Sequence, residues 1–216
     1  MDILMFDMGR GVEAGVTAAD AAELPFRVVL PQQTHSCNVA VADGTTTEFP
    51  DTDALVCCRR GIAIGVRTAD CVPLLLYSAD IGEVAAVHAG WRGTLGGIVS
   101  GAVEMLCAHG ADPARMRACF GPSICGGCYE VGEDMAVRFE AEGYGECVLR
   151  HGPGGEVYPK PHIDLVKVNV MRLLQSGLLR HNVVTPGICT MHGPARYHSY
   201  RRDATAKRNI SFIRLL

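Results

Sequence analysis

Five apolar runs of strand length crowd into the stretch from Phe26 to His88, with nothing of helical length between them. They are Phe26–Leu30, Ala54–Cys58, Ile62–Val66, Val72–Tyr77 and Val84–His88. Each is rich in β-branched residues or bounded by Gly, Asp or Pro, which is the pattern of strands. A doubly wound parallel sheet needs a long crossover between consecutive strands, so this spacing predicts a mixed or antiparallel sheet. Helical periodicity comes afterwards. Leu95, Ile98, Val99, Ala102, Val103 and Leu106 follow a 3.6-residue period, with Thr94 as cap and Gly110 as stop. A second helix is predicted over Gly132 to Ala141 and a third from Asp164 to Gly177, with strands at Asn182–Thr185 and Ile210–Leu215. A chain of 216 residues is ample for one core and short for two. The expectation is a single α/β domain over residues 1–216, a mixed β-sheet with helices packed on it.

Charge narrows the partners. Lys and Arg number 20 against 23 Asp and Glu, with no block of like sign, so neither a nucleic acid nor an anionic membrane surface is expected. The most apolar run, Val72 to Tyr77, is far too short to span a bilayer. The opening residues lack the basic start of a secretory signal, so a cytoplasmic location is expected. The ten cysteines then read as mostly reduced, small buried hydrophobes with a metal ligand among them.

Unusual residues gather at the ends of the predicted strands. Gln33-Thr34-His35-Ser36 follows the first run, Thr68-Ala69-Asp70-Cys71 separates two others, and Val87-His88-Ala89-Gly90-Trp91-Arg92-Gly93 leads from a strand into a helix. His35, Cys71 and His88 converging there would give an N, S, N donor set. That set suits tetrahedral Zn2+ with one position left for water or substrate. Spacing alone does not demand it, since a single His or Cys in such a domain is ordinarily buried and inert.

Those strings resemble the laccase-domain, YfiH-like family. The resemblance continues in order through Gly121-Pro122-Ser123-Ile124, Cys128-Tyr129-Glu130-Val131-Gly132, His162-Ile163-Asp164-Leu165, Cys189-Thr190 and Ser199-Tyr200-Arg201-Arg202. It covers nearly the whole chain, and the His88-to-Gly93 string is its most specific part. Departures fall at the ends, where Arg10 stands in an altered opening turn and Tyr197-His198 and Lys207-Arg208 replace the usual residues. The resemblance implies His35, Cys71 and His88 as metal ligands. It also implies zinc-dependent phosphorolysis of adenosine, inosine or guanosine to base and ribose 1-phosphate. Adenosine deamination and methylthioadenosine phosphorolysis are implied side activities, and purine nucleosides and phosphate the partners. Hydrolytic editing of a peptidoglycan precursor and a non-catalytic zinc-stabilised domain are the alternatives, the latter requiring a fourth ligand such as Cys37 or Cys189. Copper-dependent phenol oxidation ranks low, because most of the eight His residues lie outside the motifs.

Two catalytic residues are expected beside the metal. Arg92, in a Gly-rich turn before a helix, offers a guanidinium and nearby backbone N–H groups to phosphate, its plainer role being to pack on Trp91. Asp70, adjoining the proposed thiolate, is the candidate proton shuttle for deamination, its plainer role being an anchor beside the ligand. Cys125-Gly126-Gly127-Cys128 has C-x-x-C spacing, but no second C-x-x-C completes a four-thiolate site. It is therefore expected to be inert, and His151, His162, His192 and His198 carry no signal individually.

Overall fold

The computed structural model describes residues 3–18, 23–46 and 48–216. Numbered along the chain, a six-stranded sheet contains β4 (Val39–Val41), β5 (Ala54–Cys57), β7 (Val72–Ser78), β8 (Glu83–Ala89), β9 (Arg117–Phe120) and β12 (Val183–Val184). Its spatial order is β12-β9-β7-β8-β5-β4, with parallel pairs at both outer edges and antiparallel pairs within. A five-stranded sheet contains β1 (Ile3–Phe6), β2 (Val12–Thr17), β3 (Val28–Val29), β6 (Ala63–Thr68) and β13 (Asn209–Leu215), in the order β1-β2-β13-β6-β3. The hairpin β10 (Val148–His151) with β11 (Val157–Ile163) stands apart.

Every residue of β7 and β8 is buried, because the six-stranded sheet is covered on both faces. Leu74, Leu76 and Val87 pack on one side with Ile98, Val99 and Leu106. Leu75, Ala86 and Leu55 pack on the other with Ile64, Val66 and Ile213 of the five-stranded sheet. A strand buried on both faces has no reason to alternate polar and apolar residues, so the runs are continuous in sequence. The outcome is the expected mixed α/β domain, with the strands shared between two stacked sheets and a hairpin instead of one sheet.

The helices are α1 (Trp91–Gly96), α2 (Ile98–Ala108), α3 (Glu133–Ala141), α4 (Leu165–Gln175) and α5 (Tyr200–Asp203). Asp164 caps α4 by accepting from the Lys167 N–H at 2.9 Å, and Gly177 at φ +96° follows its end. The single helix expected after Thr94 is two. Gly97 at φ +84° ends α1 and starts α2, so the chain turns while the apolar period runs on through it. Thr94 is correspondingly no cap: it is buried within α1, its Oγ1 accepting from Asn169 Nδ2 at 3.0 Å.

Candidate metal centre and adjoining cavities

One end of the six-stranded sheet collects the candidate side chains. His88 is near the end of β8, and Cys71 immediately precedes β7. The β7–β8 register pairs Val72 with Ala89, so Cys71 is carried alongside the turn that follows His88. His35 enters from the loop between β3 and β4. His35 Nε2 lies 3.7 Å from Cys71 Sγ, and the His35 and His88 rings meet edge to face with centroids 4.8 Å apart. One donor atom from each of the three residues falls within 4.8 Å of the other two. The expected trio is thus brought together by three separate segments.

A fourth residue, missed in the sequence, organises the two histidines. Asp53 directly precedes β5, and the antiparallel register of β5 with β8 sets it opposite His88. The His88 N–H donates to the Asp53 carbonyl at 2.8 Å, and His88 Nδ1 lies 2.6 Å from Asp53 Oδ1. That contact turns Nε2 of His88 toward the trio, as a carboxylate does behind a metal-ligating imidazole. The same buried carboxylate accepts from the backbone N–H of Thr34, His35 and Ser36 and from Ser36 Oγ. One side chain therefore orients His88 and fixes the loop that carries His35.

The electrostatics match a cation site. Burial opposes ionisation of Asp53, yet the hydrogen bonds from His88, Thr34 and Ser36 hold its carboxyl at about 2. Burial also opposes the charge on His88, but Asp53 and Cys71 raise the imidazole to about 9. Burial works against the Cys71 thiolate as well, and His35 and His88 outweigh it, bringing the thiol down to about 6. Two soft or borderline donor types around one point, with a carboxylate behind, fit zinc.

The backbone is shaped around this point. His35 has φ +65° and Asp70 has φ +90°, conformations that cost a non-glycine residue about 1–3 kcal/mol each and persist where surrounding contacts impose them. Gly90 is required by close approach: a Cβ there would stand 2.6 Å from His35 Cδ2 and 3.3 Å from Cys71 Sγ.

Two cavities flank the trio. The larger, about 590 Å³, is lined by His35, Cys71 and His88 together with Gln33, Arg67 and Arg208. The smaller, about 140 Å³, shares Cys71 and Tyr200 with it and is walled by Trp91, Tyr129 and Arg201. Arg92 lies outside both linings, exposed, with its guanidinium 4.6 Å from the Trp91 ring centroid. Asp70 lines the smaller cavity but uses both carboxylate oxygens within the protein. Oδ1 accepts from Thr190 Oγ1 at 2.6 Å, and Oδ2 accepts from the Arg201 N–H at 2.7 Å. That geometry favours an anchor over a proton shuttle.

No fourth protein ligand reaches the trio among the described residues. Cys37 turns toward α1, its Sγ 3.9 Å from the Gly93 carbonyl, and Cys189 lies elsewhere, with Cys125, Cys128 and His192. That second grouping also escaped the sequence reading. The signal was present as Cys189-Thr190-Met191-His192, a C-x-x-H pair able to complete the C-x-x-C pair, whereas only a second C-x-x-C was sought.

Within a mixed α/β fold, two histidines and one cysteine thus meet at a sheet end as a candidate centre with an open side. The chain belongs to the laccase-domain, YfiH-like family: the model described as multi-copper polyphenol oxidoreductase laccase matches residues 9–216. It is 39% identical over 186 residues to adenosine deaminase RL5 of an unknown prokaryotic organism, covering 81% of this chain and 70% of that protein. It is 42% identical over 167 residues to a purine nucleoside phosphorylase of Deinococcus radiodurans, covering 77% of this chain and 62% of that protein. Among solved structures it resembles YfiH of Bacillus licheniformis, with a TM-score of 0.85 and 25% identity over 99% of this chain and 96% of that one. NMB0706 of Neisseria meningitidis gives a TM-score of 0.83 and 25% identity, over 100% of this chain and 99% of that one.

Proposed function

We propose that this chain is a zinc-dependent purine nucleoside phosphorylase that also deaminates adenosine. The observation that carries the reading is the open trio of His35, Cys71 and His88, backed by Asp53 and set between a cavity with cationic walls and one with aromatic walls. Relatives that carry phosphorylase and deaminase names support the substrate class. His35, Cys71 and His88 would hold the zinc, which would supply Lewis-acid polarisation of a substrate oxygen or nitrogen. A three-ligand centre with an open side is the arrangement of catalytic zinc, whereas structural zinc is closed by four protein ligands.

The remaining work falls to the chain. Trp91 and Tyr129, with Arg92 and Arg201 lying over their rings, wall the smaller cavity with planar groups suited to a purine. The larger cavity lies within the size range of small-molecule sites and places Arg67 and Arg208 where an anion would sit. In phosphorolysis a phosphate oxygen forms the bond to C1′ as the C1′–N9 bond breaks, and the departing base takes up a proton. Asp53 holds a proton at Nδ1 of His88, so Nε2 is the nitrogen that would give up its proton to ligate. Asp70 holds the Cys71 turn against the segment of Thr190 and Arg201.

Incubation with adenosine or inosine, with and without phosphate, tests the reading through chromatography of base, ribose 1-phosphate and inosine. Base release should require phosphate and stop on chelation. A zinc-loaded chain that releases no base but cleaves a muramyl-peptide amide would overturn it. The anion site is tested by two variants. Arg208→Ala should raise the KM for phosphate about tenfold to a hundredfold, the worth of a charge-assisted contact of roughly 1.5–3 kcal/mol. The same loss in Arg92→Ala alone would place the phosphate at the start of α1 instead.

A further inference from the structure

The segment after β9 and the segment after β12 meet side by side. Ser123 and Cys189 form a parallel bridge; the Ser123 N–H donates to the Ile188 carbonyl at 3.1 Å and the Thr190 N–H to the Ser123 carbonyl at 3.0 Å. This pairing brings a C-x-x-C turn against a C-x-x-H turn. His192 Nδ1 lies 3.2 Å from Cys128 Sγ and 3.9 Å from Cys125 Sγ, and one donor atom from each of Cys125, Cys128, Cys189 and His192 falls within 4.8 Å of the other three. Ligands at the usual zinc distances stand about 3.8 Å apart between two sulfurs and about 3.5 Å between sulfur and nitrogen. The observed separations therefore need little adjustment to surround an ion. A backbone donor is aimed at a sulfur too: the Cys125 N–H donates to Cys189 Sγ at 3.4 Å. Such donors stabilise thiolates more than thiols.

We propose that Cys125, Cys128, Cys189 and His192 form a second zinc site, closed and structural, which fastens the two segments together. Three thiolates and one imidazole fill all four tetrahedral positions, leaving none for substrate. The site stands next to the catalytic turn without being part of it. The Ile124 N–H, beside Cys125, donates to the Asp70 carbonyl at 2.9 Å, and Thr190, beside Cys189, donates to the Asp70 carboxylate. Both fastened segments thus grip Asp70, whose neighbour is Cys71. The second zinc fixes the turn from which the catalytic thiolate projects.

The test is zinc content per chain of reduced, full-length protein purified from zinc-supplemented cells, for wild type, His88→Ala, Cys125→Ser and the double variant. Two, one, one and no equivalents are expected. The His88→Ala protein reports on the second site whatever becomes of the first. If wild type holds a single zinc that survives His88→Ala and is lost in Cys125→Ser, the second site stands and the trio assignment falls. A single zinc lost in His88→Ala overturns the second site and leaves the trio. Should Cys125→Ser fail to fold, cobalt in the His88→Ala protein gives an independent reading. Sulfur-to-cobalt charge transfer with tetrahedral d–d bands, weakened by His192→Ala at the exposed edge of the site, supports the proposal. A cobalt spectrum without thiolate bands, or a disulfide among Cys125, Cys128 and Cys189 in the purified protein, overturns it.

Discussion

The two clusters of sulfur and imidazole differ in how they are built. The trio of His35, Cys71 and His88 is assembled by strand register from three distant segments, is backed by a buried carboxylate and opens on two cavities. The cluster of Cys125, Cys128, Cys189 and His192 is made of two short turns, has a full set of four donors and receives a backbone N–H at Cys189 Sγ. The contrast separates two uses of the same ligand chemistry. A missing fourth ligand leaves a metal able to act on substrate, and a complete set makes it a fastener.

Removing the trio's only anionic ligand should give the largest effect. Cys71→Ala is expected to abolish nucleoside turnover and to lower zinc by one equivalent, with the circular dichroism spectrum of a folded chain retained. Full zinc and full activity in a folded Cys71→Ala protein would erase the distinction between the clusters. Gly90→Ala should come next. The added methyl meets the His35 ring and leaves the second cluster untouched, so loss of one zinc and of most activity is expected. An unaltered kcat/KM would show that His35 can yield. Asp53→Asn should be milder, weakening zinc at the trio by about 10–100-fold, the usual cost of altering a carboxylate behind a ligating histidine. A competitive chelator titration reads that shift, and the zinc of Cys125 and Cys128 should not change. The smallest effect belongs to Cys37→Ser. This exposed thiol faces α1 and joins neither cluster. Stability should move by less than about 0.5 kcal/mol, with zinc content unchanged.

What the sequence revealed follows from where each residue is buried. The runs at Ala54–Cys57, Val72–Ser78 and Glu83–Ala89 were legible because both faces of their sheet are covered, and continuous hydrophobicity marks such strands. Arg117–Phe120, Val12–Thr17 and the hairpin Val148–His151 with Val157–Ile163 were not. They are short, or carry Arg, Lys and Pro on exposed positions and Glu on a half-buried one, and only their neighbours make them strands. The break at Gly97 was hidden because the apolar period continues across it. The convergence of His35, Cys71 and His88 was legible because each stands in a distinctive string at a strand end. Asp53 was not, because its role depends on facing His88 across β5 and β8, a register that no local pattern encodes. The placing of Arg92 on Trp91 and of Asp70 between Thr190 and Arg201 likewise depends on contacts distant in sequence.

The position of β13 bears on biosynthesis. The strand Asn209–Leu215 occupies the middle of the five-stranded sheet, flanked by β2 and β6, and Arg214 reaches Glu13 across 201 positions of the chain. On the ribosome, β2 and β6 must wait with bare edges until this strand emerges, and bare edges invite pairing with other nascent chains. The closing step is also the least local, and long-range strand pairings are intrinsically slow to form. His35, Cys71 and His88 are all translated well before that step, yet the sheet that backs their platform is completed only when β13 arrives.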